Sequence, residues 1–368
     1  MSHARTTPLI RSLPSTVPFV GPEVQERRTG TTFTARLGAN ENVFGPSPKA
    51  IEAMRDGAAE IWKYGDSASH DLRSALAARH GIAMENIVVG EGIDGLLGYL
   101  VRLMVAPGDA VVTSDGAYPT FNYHVTGYGG VLHKVPYKGD FEDLPALMAR
   151  AGEVDAKLLY YSNPDNPMGS WARGADIVAA LDNLPDGCLM ILDEAYVELA
   201  PEGTAAPVDI EDPRVIRMRT FSKAYGMAGA RVGYALGAAA LIAEFEKIRN
   251  HFGMNRAAQA GAVAALEDDA WLAHVQEQVA SARAEIARIA RENGLEPLPS
   301  ATNFVTIDCG RDGDFARAVL AGLTARGIFA RMPFVAPQDR CIRVSCGRPD
   351  ELALFAEALP GALGDARG

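Results

Sequence analysis

Short apolar runs separated by amphipathic stretches dominate the chain between residues 36 and 250. The runs are too short for buried helices and several are bounded by Gly, Asp or Pro, which indicates buried strands. The predicted strands are Ile87–Val89, Ala110–Val112, Leu158–Tyr161, Leu189–Leu192 and Val215–Met218. The predicted helices begin at Ser47-Pro48, lie between Ser69 and Gly81, and span Gly95–Met104 and Gly174–Leu181. This alternation predicts an α/β fold with a mostly parallel sheet and helices on both faces.

The pattern changes after about residue 250. Asp268–Asn293 is rich in Ala, Glu and Arg and has high helix propensity. A strand, a helix, a second strand and a last helix are predicted after it, at Asn303–Ile307, Phe315–Arg326, Ile342–Ser345 and Glu351–Ala358. We therefore predict a large domain over residues 36–250 and a smaller α+β domain over residues 251–368. Residues 1–35, rich in Pro, Thr, Ser and Arg without periodicity, are predicted to form an extended N-terminal arm.

Composition narrows the class of protein. The 368 residues are 48% hydrophobic and 22% charged, as in ordinary globular proteins. The net charge of −11 argues against nucleic-acid and anionic-membrane partners. Four cysteines without a CxxC pair predict reduced thiols in a cytoplasmic protein, and no group of residues has the spacing of metal ligands. The charge-free stretch Val232–Ala243 is too short to span a bilayer.

Polar segments follow three of the predicted strands, where open α/β sheets bind their ligands. S-N-P-D-N-P-M-G (162–169) contains two Asn-Pro steps that fix a loop and hold an Asn side chain. Five of these residues form the pattern N-P-x-N-P-x-G, which would occur by chance at roughly one in 10⁶–10⁷ start positions. D-E-A-Y (193–196) places Asp193 after a buried strand, where a carboxylate needs a cation or strong donors unless it only caps a helix.

The third segment is S-K-A-Y-G-M-A-G-A-R-V-G (222–233), after the strand Val215–Met218. Lys223 and Ser222 lie in a Gly-rich loop with Arg231 eight residues on, which suits a phosphate with an amine nearby. The three segments together supply an imine-forming lysine, an acid for a ring nitrogen, hydrogen bonds for a phenolate and a phosphate cup. Pyridoxal phosphate requires this set of groups.

In order and spacing, these segments resemble those of the fold-type-I aminotransferases, and most closely the histidinol-phosphate aminotransferase branch. The agreement extends from about Leu37 to Arg348. The resemblance implies the aminotransferase fold of type I, pyridoxal phosphate as cofactor, and a homodimer with active sites at the subunit interface. It also implies small-molecule substrates, an amino donor and a 2-oxo acid.

The resemblance assigns a role to each matching residue. Lys223 holds the cofactor as an imine and moves the proton between substrate and cofactor. Asp193 keeps the ring nitrogen protonated, and Asn166 and Tyr196 hydrogen-bond the ring's 3-oxygen. Phe121 matches the aromatic residue that stacks on the ring, a core phenylalanine being the alternative.

Further positions concern the phosphate and the substrate. Gly92-Ile93-Asp94 opens a helix whose N–H groups meet the phosphate, which Ser222 and Arg231 also contact. Tyr64 matches a tyrosine that reaches the phosphate from the neighbouring subunit. Arg343, in an apolar strand, matches the arginine that binds the substrate's carboxylate or phosphate, and Asn40 matches a residue near the mouth of the site.

The resulting interpretation is a ping-pong transamination with histidinol phosphate and glutamate as the substrate pair. Gly92-Ile93-Asp94-Gly95, Met168 and Asn250–Asn255 depart from the pattern of that branch. These departures keep open a paralogue for aromatic or other amino acids, and an enzyme similar to threonine-phosphate decarboxylase. Effector-binding domains of transcription regulators also use this scaffold, but the 35-residue arm is too short for a winged helix.

Overall fold

The computed structural model describes residues 5–15 and 19–368. Its strands are β1 (Ala35–Arg36), β2 (Ile87–Gly90), β3 (Ala110–Ser114), β4 (Val131–Val135), β5 (Leu158–Ser162), β6 (Leu189–Asp193), β7 (Val215–Thr220), β8 (Gly233–Leu236), β9 (Glu296–Pro297), β10 (Phe304–Asp308), β11 (Ile328–Phe329) and β12 (Cys341–Ser345). Its α-helices are α1 (Pro8–Ser12), α2 (Pro22–Thr29), α3 (Pro48–Ala58), α4 (His70–His80), α5 (Gly92–Met104), α6 (Pro119–Gly127), α7 (Leu144–Glu153), α8 (Gly174–Ala180), α9 (Ala239–Glu244), α10 (Arg256–Leu266), α11 (Asp269–Glu292), α12 (Gly313–Ala325) and α13 (Pro349–Arg367).

A seven-stranded sheet in the order β2-β8-β7-β6-β5-β3-β4 forms the centre of the larger part of the molecule. Only β8 runs antiparallel to its neighbours, so the predicted mostly parallel sheet is confirmed. Ser162 pairs with Asp193, and Asp193 pairs with Met218. The carboxyl ends of β5, β6 and β7 therefore lie side by side, and the three polar segments leave the sheet at one edge.

Helices cover both faces of this sheet, and β5 shows why. Leu158 and Tyr160 pack into a core with α5 and α6, whereas Leu159 and Tyr161 pack into a second core with α7 and α8. Successive side chains of a strand point to opposite faces, so a strand buried on both faces is an uninterrupted apolar run. This is the pattern from which the central strands are predicted.

The strands β4 and β8 and the helices α6, α7, α9 and α10 are not predicted from the sequence. β4 is an edge strand in which only Val135 is fully buried, so it lacks a continuous apolar run. β8 lies within the charge-free stretch that follows Arg231, and its boundaries are not marked by polar residues. The helix α10 packs against α3 and α4 and has small residues on its buried face, including Gly261 and Ala262.

The C-terminal part contains the antiparallel sheet β12-β10-β9, against which α11 and α12 pack. The long predicted helix is confirmed as α11, whose N-terminus is capped by Asp268. The last helix, α13, extends to Arg367, nine residues beyond the predicted end at Ala358. The domain division at residues 35 and 250 stays a prediction.

The N-terminal arm is not extended throughout, so that expectation is wrong. Thr7 caps the helix α1, and α2 begins with Pro22, which favours the first helical position. Arg36 of β1 ion-pairs with Glu23 and Glu26 of α2, and β1 pairs with β11 in parallel. The arm is therefore anchored on the C-terminal part of the molecule. The four cysteines are free and buried.

Candidate active site

A cavity of about 410 Å³ opens where β5, β6 and β7 end, and residues from the arm and the C-terminal part complete its wall. This cavity brings most of the predicted site residues together. Ten of them line it: Asn40, Ile93, Asp94, Asn166, Asp193, Tyr196, Ser222, Lys223, Arg231 and Arg343. Residues that are far apart in the sequence therefore lie close together, because the carboxyl ends of the parallel strands are adjacent.

Asp193 lies at the bottom of the cavity and is 5% exposed. Its Oδ2 accepts a hydrogen bond of 2.6 Å from the Tyr160 hydroxyl, and its Oδ1 accepts one of 2.9 Å from the Ala195 N–H. Burial raises the pKa of Asp193 to about 6, although both hydrogen bonds and the charge of Lys223 act in the opposite direction. Within the described residues Asp193 has no ion-pair partner, so it is suited to a cation that enters the cavity.

Lys223 is half-buried and directs its amine across the cavity. Its Nζ donates to the Asn40 carbonyl at 3.1 Å and lies 5.5 Å from the centre of the Tyr196 ring. The Asn40 Nδ2 donates a hydrogen bond of 3.1 Å to the Tyr196 hydroxyl, and the Asn40 Oδ1 accepts one of 3.0 Å from the Ser345 hydroxyl. Among the described residues, no carboxylate ion-pairs with Lys223. The amine is therefore held in place by neutral groups.

An anion cradle is built at the first turn of α5. Gly92 has a φ of 76°, and a Cβ there would lie 2.4 Å from Nη2 of Arg231. Arg231 also reaches the Ser222 hydroxyl at 3.4 Å and the Asp94 carboxylate at 3.5 Å. Thr220 donates to Ser222 at 2.9 Å. Free N–H groups at a helix N-terminus, a hydroxyl and a guanidinium are the donors that a phosphate needs.

Two arginines converge on the opposite wall. Arg343 donates to the Asn166 Oδ1 through Nη1 and to the Gly38 carbonyl at 3.3 Å through Nη2, while its buried Nε has no partner within the described residues. Burial, assisted by the like charge of Arg331, lowers the pKa of Arg343 to about 10. Arg331 pairs with Arg343 in an isolated antiparallel β-bridge. At neutral pH both carry positive charge, and the wall is suited to an anion.

Comparison with known proteins shows which family the chain belongs to. The model for "Aminotransferase class I and II" matches residues 34–359. The chain belongs to this aminotransferase family. A solved structure of histidinol-phosphate aminotransferase from Sinorhizobium meliloti, in complex with pyridoxal-5'-phosphate, is 52% identical with a TM-score of 0.95, and the match covers 99% of this chain and 98% of that one.

The aminotransferase also resembles curated proteins along nearly its whole length. The histidinol-phosphate aminotransferase of Anaeromyxobacter sp. (strain Fw109-5) is 37% identical over 358 residues, which are 95% of this chain and 97% of that protein. Aspartate aminotransferase from Thermus thermophilus, in a single-mutant form, has a TM-score of 0.81 at 22% identity, with 98% of this chain and 100% of that one covered. That likeness shows the fold alone. The fold-type-I architecture expected from the sequence is confirmed.

Phe121 and Tyr64, two expected residues of the aminotransferase site, do not line the cavity of their own chain. Phe121 is fully buried and stacks on Tyr160 with ring centres 4.8 Å apart, and its stacking on the cofactor ring stays a prediction. Tyr118, at the N-terminus of α6, lines the cavity instead and donates to Asp94 at 2.7 Å. Tyr64 is 78% exposed, and its ring lies 4.8 Å from the Phe252 ring, outside the cavity of its own chain. This agrees with its expected role at the phosphate of a neighbouring subunit, which stays a prediction.

Several residues of the cavity wall are not assigned to the site by sequence reasoning, among them Phe19, Tyr118, Tyr160 and Arg331. Arg331 stacks on Phe19 with its guanidinium 4.5 Å from the ring centre, and donates to the Val20 carbonyl at 3.0 Å. No short motif surrounds Arg331 or Phe19, so only the folded chain brings them together. The described helices include none that is both long and apolar enough to cross a membrane, and no metal-binding group is found among the described residues.

Proposed function

We propose that this aminotransferase uses pyridoxal phosphate to transfer the amino group of histidinol phosphate to a 2-oxo acid, with glutamate as the product of the second half-reaction. The observation that carries the proposal is the meeting of Lys223, Asp193 and two arginines in one cavity. The choice of substrate is supported by the two histidinol-phosphate aminotransferases named above, from Sinorhizobium meliloti and Anaeromyxobacter sp., which match this chain along nearly its whole length.

The residues of the cavity suit each part of pyridoxal phosphate. Asp193 is a buried carboxylate without a cation among the described residues, which suits a protonated ring nitrogen. The close approach of Arg231 to Gly92, where any Cβ would clash, leaves a cradle for the phosphate. Asn166 and Tyr196 supply an amide and a phenol for the ring's 3-oxygen, and Tyr118 is the aromatic residue available to cover the ring.

When bound, the cofactor takes up the electron pair that remains when the substrate's Cα–H bond breaks. Asp193 holds the proton on the ring nitrogen, because its carboxylate is aimed into the cavity by Tyr160 and Ala195. Lys223 would hold the cofactor covalently, and its amine, once released, would move the proton to and from the substrate's Cα. Ser222 and Arg231 would hold the phosphate in place.

Arg343 and Arg331 orient the substrates. Both partners of the proposed reaction carry anionic groups, a phosphate in histidinol phosphate and carboxylates in glutamate. Arg343 lies nearer the reacting centre, since it hydrogen-bonds Asn166, and Arg331 lies toward the mouth beside Phe19. Bidentate guanidinium groups recognise phosphate and carboxylate with similar geometry.

A second candidate is an aromatic amino acid as donor. Phe19, Met332 and Phe334 line the same wall as Arg331 and present apolar surface to the substrate's side chain. Phe19 and Phe334 are 48% and 58% exposed, so a bound aromatic ring would cover surface that water now contacts. The wall therefore favours a substrate that combines a flat ring with an anionic group, and the test below separates the candidates.

We also propose a homodimer. Four large apolar side chains are exposed in this region: Ile61 at 57% and Trp62 at 75%, which precede Tyr64 in the chain, and Tyr64 at 78% and Phe252 at 54%, whose rings are in contact. Such a patch is typical of a protein–protein interface, and a second copy of the chain would cover it. Light scattering should give twice 39.1 kDa, and Trp62→Asp should shift the particle toward the monomer.

The four free, buried cysteines support a cytoplasmic location.

The proposed function is tested by the visible spectrum of the cofactor-loaded protein, recorded as candidate donors are added one at a time. We expect histidinol phosphate and glutamate each to bleach the band of the lysine-bound cofactor. Bleaching by phenylalanine but not by histidinol phosphate would establish the aromatic alternative. Release of carbon dioxide from threonine phosphate would show a decarboxylase.

A further inference from the structure

Two buried carboxyl groups, Glu142 and Asp165, have no role in the mechanism above, and Asp165 belongs to the loop of residues 163–170. Glu142 is 7% exposed and Asp165 is 2% exposed. Glu142 accepts hydrogen bonds from the Ser114 hydroxyl at 2.5 Å, the Ser162 N–H at 2.9 Å and the Ser162 hydroxyl at 2.6 Å. Within the described residues neither carboxyl group ion-pairs with a cation, which is unusual for buried acids.

The Ser162 hydroxyl contacts both carboxyl groups and would hydrogen-bond both of them if they held one additional proton. Its Oγ lies 2.6 Å from Glu142 and 3.3 Å from the Asp165 Oδ1, but a hydroxyl has one hydrogen and can donate to only one of them. The other contact is satisfied if a carboxyl O–H is present. Burial raises the pKa of both carboxyl groups, and the negative charge of Asp165 raises the pKa of Glu142 further. Like charges this close disfavour a doubly ionised pair.

Among the described residues, the surroundings place no ion-paired cation on either carboxyl group. Tyr137 donates to the Asp165 Oδ1 at 2.9 Å, and its own pKa is raised by burial and by the two acids. The titratable groups that face the pair from the neighbouring strands and segments are Tyr137, Tyr160, Tyr161 and Arg343. Of these, only Arg343 is charged at neutral pH, and it is directed to Asn166 rather than to the pair.

Asp165 also shapes the loop that carries Asn166. Its Oδ2 accepts the Met168 N–H at 2.9 Å, and its backbone N–H donates to the Ser170 carbonyl at 2.8 Å. Asn166 is the next residue along the chain, and its side chain accepts the hydrogen bond of Arg343 in the cavity. A change at the Asp165 carboxylate is therefore transmitted to Asn166 through one short, hydrogen-bonded turn.

We propose that Glu142 and Asp165 share one proton and act as a positioning pair, which holds Asn166 toward Arg343 and the reacting centre while that proton is present. When the proton is lost at alkaline pH, the second negative charge repels Asp165 from Glu142, and Asn166 loses its orientation. The consequence for turnover rests on the function proposed above, whereas the shared proton does not.

The shared proton is tested by unfolding the protein at a series of pH values. The folded Glu142 keeps its proton at pH values where the unfolded side chain has lost it, so unfolding releases one proton. The unfolding equilibrium constant should therefore rise about tenfold per pH unit from this group, until the folded pair itself ionises. Glu142→Gln cannot ionise, so the ratio of its unfolding constant to that of the wild type should fall as pH rises. Glu153→Gln, at an exposed position, should follow the wild type.

The positioning role is tested by the side-chain amide signal of Asn166 in nuclear magnetic resonance. In the wild type this signal should shift in a single alkaline titration step, and in Glu142→Gln the step should be absent. The kcat/KM of Glu142→Gln relative to that of the wild type should also rise about tenfold or more across the same step.

The outcomes are distinguishable. If the unfolding constants of the wild type and Glu142→Gln change with pH in parallel, the shared proton is refuted. If the Asn166 amide signal does not shift in the alkaline titration step, the positioning role is refuted. A wild type without turnover would defeat the proposed function, but the unfolding and resonance measurements would still decide this inference. If Glu142→Gln does not fold, Asp165→Asn serves in the unfolding and kinetic measurements, because it removes the like charge that keeps the proton on Glu142.

Discussion

The cavity has two walls of different construction. On the sheet wall, Asp193 is oriented by Tyr160, only 33 residues away on the neighbouring strand β5. On the opposite wall, Arg343 contacts Asn166 across 177 residues, and Arg331 contacts Val20 across 311 residues. The sheet wall is thus made from adjacent strand ends, whereas the opposite wall is assembled from the arm, the loop after β5 and the C-terminal part.

The two walls therefore differ in their proposed function: the sheet wall carries the reacting groups, and the opposite wall selects the substrate. The sheet wall carries the groups that hold the proposed cofactor and move protons, and each is fixed by hydrogen bonds to its neighbours. The opposite wall carries two guanidinium groups and exposed aromatic rings, which contact whatever substrate enters. We therefore expect changes on the sheet wall to lower kcat, and changes on the opposite wall to alter KM and substrate preference.

The largest effect is expected at Lys223. Lys223→Ala removes both the covalent attachment and the group that moves the proton, so kcat should fall about 10⁴-fold or more. Steady-state kinetics and the visible spectrum measure the two losses separately. Lys247→Ala, at an exposed position, is the control and should behave as the wild type. Turnover of Lys223→Ala near the wild-type rate would refute the assignment of the sheet wall.

Asp193→Asn should have the next largest effect. The amide keeps the shape of the carboxylate but cannot stabilise a protonated ring nitrogen, so kcat should fall roughly 10³-fold. The cofactor should still attach to Lys223, which the spectrum would show. A variant that loses cofactor binding but keeps its rate per bound cofactor would mean that Asp193 only anchors the ring.

The opposite wall is tested by Arg343→Ala and Arg331→Ala. Loss of Arg343 should raise KM about 10²-fold for both histidinol phosphate and glutamate, because a desolvated charge contact is lost. Loss of Arg331, which is nearer the mouth, should raise KM about tenfold, with unequal effects on the two substrates. Equal falls in kcat without a change in KM would contradict the division between the walls.

The smallest effect is expected from Tyr160→Phe, which removes one hydrogen bond to Asp193. The pKa of Asp193, about 6 in the structure, should rise further because that bond stabilises the ionised form. Protonation of Asp193 removes the charge that attracts the ring nitrogen, so the Kd of the cofactor should increase as pH falls through about 6. In Tyr160→Phe this increase should begin about one to two pH units higher. An unchanged pH profile would exclude Asp193 as the titrating group.

The two walls also differ in how far the sequence predicts them. Asp193 and Lys223 follow apolar strand runs directly, so the parallel sheet alone brings them to one edge. Arg331 and Phe19 have no motif, and their contact depends on how the arm folds back on the C-terminal part. The position of Phe121 also depends on a local detail that the sequence does not show: α6 begins at Pro119, and Tyr118 lines the cavity while Phe121 is buried in the core.

The most direct measurement of the central claim is chemical fixation of the cofactor. The protein would be loaded with pyridoxal phosphate, treated with borohydride to reduce the imine to a stable amine, digested and mapped by mass spectrometry. We expect one modified peptide, with the label on Lys223 and on none of the exposed lysines such as Lys247. A label on a different lysine, or no label in protein that has bound the cofactor, would contradict the account.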